Sequence, residues 1–353
     1  MKWKKRMISA AAAAIAALMC ACSVSENVTN PSAPDVSEPE ETVYYNPLTG
    51  TAGYDESARL NRPVAVMVNN IEQSLPQRGI SKADIVYEMP VEGGITRLMA
   101  VFSDYHNLPE IGSIRSARHD YVELLLPLDA IYLHFGGSEA AKKAISQFEV
   151  DDIDGLVFSN TAFRFDKERA KSKAREHCYY SDAALLEAGI EKADIRTELS
   201  EPLPSLFTFR EDAAVSMTQS AMSVIAPMSG ICTASFTYDP ASGLYQKAQY
   251  GDDHIDETTG KAVAVQNVFL MYTDVDLMQD GLHKEIDLSE GHGYYFTCGK
   301  MQPVTFKKDG EDSLLQVYTE DGAVCTVTPG QTWFCVIPSE FESKLSISGA
   351  ESE

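Results

Sequence analysis

The strongest constraint on the fold is a change of sequence pattern near residues 201–220. Before it, short apolar runs such as Val64–Val68 alternate with stretches of helical apolar spacing, as in residues 116–128. After it, short strand-like runs are separated by turn pairs such as Pro329–Gly330, with no helix-length periodic stretch. This pattern predicts an α+β protein, in which an N-terminal mixed α/β sheet domain is followed by a smaller antiparallel β domain.

The same pattern and the composition divide the chain of 353 residues into several parts. Hydrophobic residues make up 44% of the chain, which is enough to build a sizeable core. Residues 23–42 are rich in acids and prolines and contain no aromatic residue, so they predict an extended tether. The predicted parts are a lipoprotein signal peptide over 1–21, an acidic tether over 22–45, the N-terminal domain over 46–200, a linker over 201–220, the C-terminal domain over 221–340 and a tail over 341–353.

The N-terminus has the pattern of an export signal. Basic residues at 2–6 precede an apolar run at 7–19, which is too short to span a bilayer. Ala21 and Cys22 follow, and this arrangement resembles the bacterial lipoprotein signal, in which a small residue precedes the lipidated cysteine. A Cys22 that carries acyl chains such as palmitate predicts anchoring at the extracytoplasmic face of the bacterial cell membrane. An ordinary cleaved signal with incidental cysteines is the alternative.

Charge and cysteine content narrow the class of partner. The formal net charge is −23. This charge excludes a protein that binds the phosphate backbone of nucleic acid through overall electrostatic attraction. No Cys-x-x-Cys motif occurs, and the sequence predicts neither a cofactor nor a metal. Cys325 and Cys335 flank the turn of a predicted hairpin. The sequence is compatible both with a disulfide between them and with two buried thiols. After Cys22 the chain has an odd number of cysteines: Cys178, Cys232, Cys298, Cys325 and Cys335.

Several motifs point to a family. They are Arg62–Asn70, Ser81–Glu88, Ile111–Arg118, His134–Ser138, Gly291–Tyr294 and Pro329–Trp333. Together they resemble the motif series of the YerB-like bacterial lipoproteins over about residues 46–340. That family is defined by a pair of domains of unknown function, so the resemblance implies architecture and surface location. It supplies no catalytic residues.

The segment Ser113–His119 is the first candidate site. Its two arginines, Arg115 and Arg118, are three residues apart at the start of a predicted helix and are expected to share a helix face. Arginine forks match carboxylates and phosphates, so an anionic ligand is one interpretation. An internal partner such as Glu88 or Glu92 is the other. The predicted ligand-binding residues are Arg97, Arg115, Arg118, His119, Gly136, Gly137 and Ser138.

Two further patterns suggest chemistry. Gly136–Ala140 lies between a strand and a helix, like a nucleophile elbow, although a turn with Ser138 as helix cap is the simpler interpretation. His254 and Asp256 alternate, as an acid/base pair on a strand would, although a solvated acidic turn explains them as well. The catalytic alternative comprises Glu88, His119, Ser138, His254 and Asp256.

These patterns predict a lipid-anchored protein that binds an anionic cell-envelope component or an envelope protein partner, and no nucleic acid. A cell-envelope hydrolase or transferase, with a His/carboxylate or Ser138-centred site, is the alternative.

Overall fold

The computed structural model describes residues 42–349, and those from Val43 to Gly349 belong to one compact unit. The predicted signal peptide, Cys22 and nearly all of the predicted tether lie outside the described residues.

Strands dominate the structure. Those of the first region are β1 (Val64–Asn69), β2 (Ile85–Pro90), β3 (Thr96–Phe102), β4 (Ile111–Gly112), β5 (Ile131–His134), β6 (Asp152–Asp154), β7 (Arg164–Phe165) and β8 (Tyr179–Ser181). Those of the second region are β9 (Thr208–Phe209), β10 (Gln219–Ser220), β11 (Ser223–Pro227), β12 (Thr233–Asp239), β13 (Leu244–Gln249), β14 (Asp252–Asp253), β15 (Ile255–Asp256), β16 (Lys261–Ala262), β17 (Ala264–Val265), β18 (Asn267–Thr273), β19 (Val275–Leu277), β20 (Lys284–Ile286), β21 (Glu290–Thr297), β22 (Lys300–Lys307), β23 (Gln316–Thr319), β24 (Thr326–Val327), β25 (Thr332–Pro338) and β26 (Ser346–Ser348).

Helices are short and lie mostly in the first region. The α-helices are α1 (His119–Leu125), α2 (Glu139–Gln147), α3 (Gly155–Phe158) and α4 (Ala183–Ala193). The 3₁₀ turns are Glu56–Ala58, Glu72–Ser74, Ile80–Lys82, Glu92–Gly94, Tyr105–Asn107, Leu126–Leu128, Arg169–Lys171, Arg175–His177 and Ser339–Lys344. The predicted mixture of α and β structure is confirmed.

A mixed sheet of 11 strands forms the centre of the molecule, in the order β10-β22-β21-β18-β25-β2-β3-β1-β5-β6, with β23 beside β22. Strand β2 of the first region pairs in parallel with β25 of the second, from Ile85 opposite Thr332 to Glu88 opposite Cys335. Strands from both sequence regions therefore belong to one sheet.

Both faces of this sheet are covered, which explains the uninterrupted apolar runs of its central strands. In β1, Val64, Val66 and Val68 face one core, and Ala65 and Met67 face the other, as the two-residue period of a strand requires. The first core includes residues of α4 and of a six-stranded antiparallel sheet, β14-β13-β12-β11-β26 with β17 beside β13. The second core includes residues of α1 and α2.

The second region is not wholly antiparallel, in contrast to the prediction. Strands β18 and β25 pair in parallel over seven residue pairs, from Asn267–Thr332 to Thr273–Pro338. Each of these strands is buried on both faces, and an apolar run of that kind does not reveal the direction of its neighbour. The intervening strands, β19 to β24, form the long connection that a parallel pair needs.

Candidate functional site

The arginine segment Ser113–Arg118 is extended, and α1 begins only at His119, so the predicted shared helix face is wrong. The segment is held between the ends of two sheet strands. The amide of Arg115 donates to the Met67 carbonyl (2.9 Å), and the Phe135 amide donates to the Arg115 carbonyl (3.0 Å). Two residues three apart on an extended chain project to different sides. Arg115 and Arg118 accordingly have separate surroundings.

A cavity of about 440 Å³ opens beside Arg115, and we call it the Arg115 cavity. It brings Arg115 together with the predicted Gly136–Gly137 turn and adds Arg175, which no sequence motif singled out. The residues that line it are Ile114, Arg115, Ser116, Phe135, Gly136, Gly137, Leu156, Arg175, Glu176 and Tyr179.

The charged groups of this cavity are two arginines and one glutamate. The Arg115 side chain is 31% exposed, and its Nη2 lies 3.4 Å from Oε1 of Glu176, whose side chain is 52% exposed. The Arg175 guanidinium lies over the ring of Phe165 (4.8 Å to the centroid) and near that of Tyr179 (5.6 Å). Ring contacts orient a guanidinium without neutralising it. The cavity is therefore an electropositive depression in a strongly acidic protein.

The Gly136–Ser138 turn forms one wall of the cavity. Gly136 has a φ of +70°, and its amide donates to Oδ1 of Asp154 at 2.6 Å. The Ser138 side chain is buried and accepts the Ala141 amide at 3.1 Å, so it caps α2. In this arrangement the Ser138 hydroxyl stabilises the start of a helix.

Arg97 and Arg118 lie away from the cavity, against Glu92. Arg118 donates to both carboxylate oxygens of Glu92, with an Nε–Oε2 distance of 3.0 Å. Nη2 of Arg97 lies 3.6 Å from Oε1 of Glu92, and its Nη1 donates to the Ser116 carbonyl at 2.8 Å. Both arginines are buried. Burial opposes ionisation of Glu92, but the Arg118 hydrogen bond and the two positive charges outweigh it and hold the pKa of Glu92 at about 2.

His119 faces a different part of the surface. Its Nε2 lies 3.3 Å from Oε2 of Glu285 and 3.4 Å from Oδ1 of Asp120. Asp120 is buried and accepts the Ile286 amide at 2.9 Å. Burial raises the pKa of Asp120 to about 6, against the opposing effect of His119. The hairpin that holds Glu285 borders a second cavity, of about 490 Å³, which is lined mainly by carboxylates.

The Asp120 carboxyl makes stability depend on pH. Its folded-state pKa is above its ordinary value, so its favourable contribution is present below about pH 4 and is lost as pH rises through about 6. We expect Asp120→Asn to raise the free energy of unfolding by about 2 kcal/mol at pH 7.5 and to change it little at pH 4. Urea denaturation at the two pH values measures this. An equal effect at both would contradict it.

Glu88 belongs to a network inside the molecule. Glu88 is 2% exposed and accepts hydrogen bonds from Asn70 Nδ2 (3.0 Å), Thr96 Oγ1 (2.8 Å) and Trp333 Nε1 (3.0 Å). The Nζ of Lys247, which is also fully buried, lies 3.3 Å from Oε2 of Glu88. We call Glu88, Lys247 and their hydrogen-bond partners the Glu88 network. It connects the central sheet to β13 of the second sheet.

His254 and Asp256 both contact the segment 77–81, but each has its own partners. Nε2 of His254 is hydrogen bonded to Oε1 of Gln77, and burial, with the nearby Lys247 charge, holds the pKa of His254 well below its usual value. Asp256 accepts the amides of Gly79 (3.1 Å) and Ser81 (2.9 Å). Both side chains thus attach the 77–81 segment to the part of the chain that follows β14.

The described part of the chain contains no disulfide. All five described cysteines are free thiols, and both Cys325 and Cys335 are buried. Between residues 42 and 349, no group of three or more His, Cys, Asp or Glu side chains is arranged to hold a metal ion. No helix in that part of the chain has the length and apolar character needed to cross a membrane.

Comparison with known proteins agrees with this architecture. Residues 48–196 match the family described as "Protein of unknown function (DUF3048) N-terminal domain", and residues 225–334 match its C-terminal domain. The fold is therefore that of a protein built from this pair of domains. The chain belongs to the DUF3048 family, and the resemblance to YerB-like lipoproteins is confirmed.

The protein YerB of Bacillus subtilis supports this assignment through both its sequence and its solved structure. The Bacillus subtilis protein named "Putative lipoprotein YerB" is 30% identical over 302 residues, which cover 85% of this chain and 88% of that protein. The crystal structure of YerB protein from Bacillus subtilis superposes with a TM-score of 0.75 at 30% identity, covering 86% of this chain and 99% of that one.

Proposed function

We propose that this protein is a lipoprotein, anchored through Cys22 at the extracytoplasmic face of the membrane, that binds an anionic cell-envelope component in the Arg115 cavity. The observation that carries the proposal is that Arg115 and Arg175 line the same open cavity, whose lining contains one carboxylate, that of Glu176. The signal-like N-terminus and the name of the Bacillus subtilis relative support the anchoring.

The chemistry of the cavity favours a carboxylate or a phosphate. Each of the two guanidinium groups offers several N–H donors in one plane, and this arrangement suits either anion. Phe135 and Leu156 supply an apolar wall for the part of the ligand next to the charge. Arg97, Arg118 and His119 do not line this cavity, whereas Arg175 does, and Arg175 is the second cation of the proposed site.

A binding role fits the arrangement better than an enzymatic one. The residues of the catalytic alternative are dispersed: Ser138 caps a helix, and His119 faces Glu285. Glu88 lies inside the Glu88 network, and Asp256 is occupied by loop amides.

The double substitution Arg115→Ala/Arg175→Ala tests the cavity. With the full-length chain in detergent micelles, we expect soluble muropeptides or glycerol phosphate oligomers to raise the melting temperature of the wild type. In the double variant the shift is lost and affinity falls at least tenfold, because both cations are gone. Scanning calorimetry and isothermal titration measure the two effects.

Arg210→Ala is the matched control. Arg210 is exposed, does not line the cavity and pairs with Asp212 at 2.7 Å. This variant should bind like the wild type. Unchanged ligand affinity in the Arg115→Ala/Arg175→Ala protein would refute the assigned site.

A further inference from the structure

The acidic member of the Arg115 cavity, Glu176, has a weak structural contact. Its contact with Arg115 spans 3.4 Å, which is beyond the usual N–H···O range, and about half of its side chain is exposed. An ion pair of this kind contributes at most about 1 kcal/mol. By contrast, the buried Arg118 binds Glu92 through two N–H groups. Glu176 therefore does little to hold the fold together and leaves its carboxylate accessible to a ligand.

The position of Glu176 places opposite charges side by side. It follows Arg175 directly, in the 3₁₀ turn Arg175–His177, and its carboxylate lies next to the Arg115 guanidinium. A ligand anion between the two arginines would have Glu176 at its edge. A second ligand group that carried a positive charge and N–H donors would satisfy that carboxylate, whereas a purely anionic ligand would be repelled by it.

We infer that the cavity selects a zwitterionic ligand, one in which a carboxylate and a primary ammonium are a few atoms apart, as at the free end of an amino acid. This inference rests on the proposed function, since it assigns the ligand class for the same cavity. Arg115 and Arg175 bind the carboxylate, and Glu176 accepts from the ammonium. Phe135 and Leu156 contact the carbon chain between this end and the rest of the ligand.

Two roles for Glu176 predict opposite effects of its removal on ligand affinity. If Glu176 only occupied Arg115 in the empty cavity, its removal would strengthen the binding of every anion. If it accepts an ammonium, its removal weakens amine-bearing ligands and leaves amine-free ligands equal or stronger.

The matched probes are meso-2,6-diaminopimelate and pimelate, which share the carbon chain and both carboxylates and differ in the two amines. Isothermal titration on the full-length chain in detergent should show at least tenfold tighter binding of diaminopimelate. In Glu176→Gln that ratio should fall to about twofold or less. Glu191→Gln, which removes an exposed charge from α4, should keep the wild-type ratio.

Three results would overturn the inference. They are equal wild-type affinities for the two probes, no binding of diaminopimelate at millimolar concentration, and tighter binding of both probes to Glu176→Gln. Each leaves the proposed function standing as long as Arg115→Ala/Arg175→Ala still abolishes binding of muropeptides or glycerol phosphate oligomers. Loss of the proposed function is recognised separately, by a double variant that binds those anions like the wild type.

Discussion

Replacing Lys247 by Met will lower the free energy of unfolding by about 3–5 kcal/mol, the cost of removing one partner of a buried ion pair. The Lys247 side chain is fully buried, and its Nζ lies 3.3 Å from Glu88 and 3.1 Å from Gln249 Oε1. Without it, the Glu88 carboxylate keeps its hydrogen-bond donors but loses its counter-charge. Urea denaturation followed by tryptophan fluorescence measures the loss, because Trp333 is itself a member of the network.

A second substitution separates loss of charge balance from loss of packing. In Glu88→Gln/Lys247→Met no charged group remains in the Glu88 network, and we expect most of the lost stability to return, although the amide satisfies the Trp333 and Thr96 donors less completely. Lys82→Met, at an exposed lysine, should change stability by less than about 0.5 kcal/mol. If the double variant is as unstable as Lys247→Met, then lost packing, and not the unpaired carboxylate, causes the loss of stability in Lys247→Met.

Replacing Glu92 by Gln will cost about 3 kcal/mol at pH 7, because two buried guanidinium groups, those of Arg97 and Arg118, lose their shared carboxylate. The folded-state pKa of Glu92, about 2, is below its ordinary value of 4.5. Its contribution is therefore present above pH 4.5 and is lost as pH falls towards 2. Urea denaturation at pH 7 and pH 2.5 should show the gap between wild type and variant narrowing in acid.

Glu139→Gln is the control for this substitution. It removes an exposed carboxylate that pairs with Lys142 within α2, and it should leave stability nearly unchanged at either pH. A Glu92→Gln protein whose deficit stays constant between pH 7 and pH 2.5 would contradict the role assigned to the Glu92 charge.

The elements that depend on local pattern were predictable. Val64–Val68 and Ile131–Phe135 have the uninterrupted apolar runs of buried strands, and the structure places β1 and β5 there. Ser138 has the sequence position of a helix cap and acts as one. In each case the residues that favour the element lie within a few positions of one another in the sequence.

The candidate site depended on contacts that sequence spacing does not report. Residues 113–118 are extended because their amides and carbonyls bond to Met67 and to the 135–136 turn, and this tertiary contact overrides a helical apolar spacing. Arg175 joins Arg115 from 60 positions along the chain. The sequence offered only a weak signal for it, a charged triplet, Arg175–His177, that is separated by one residue from the aromatic pair Tyr179–Tyr180.

The parallel pairing of β2 with β25 imposes an order on the maturation of the chain. A polypeptide that emerges N-terminus first exposes β2 long before its partner β25 is available. Until then β2 and β18 are open edges in the middle of the future sheet, with backbone groups ready to pair with any other extended chain. Folding of the central sheet therefore ends with a closing step, in which β25 inserts between β18 and β2 and pairs with both.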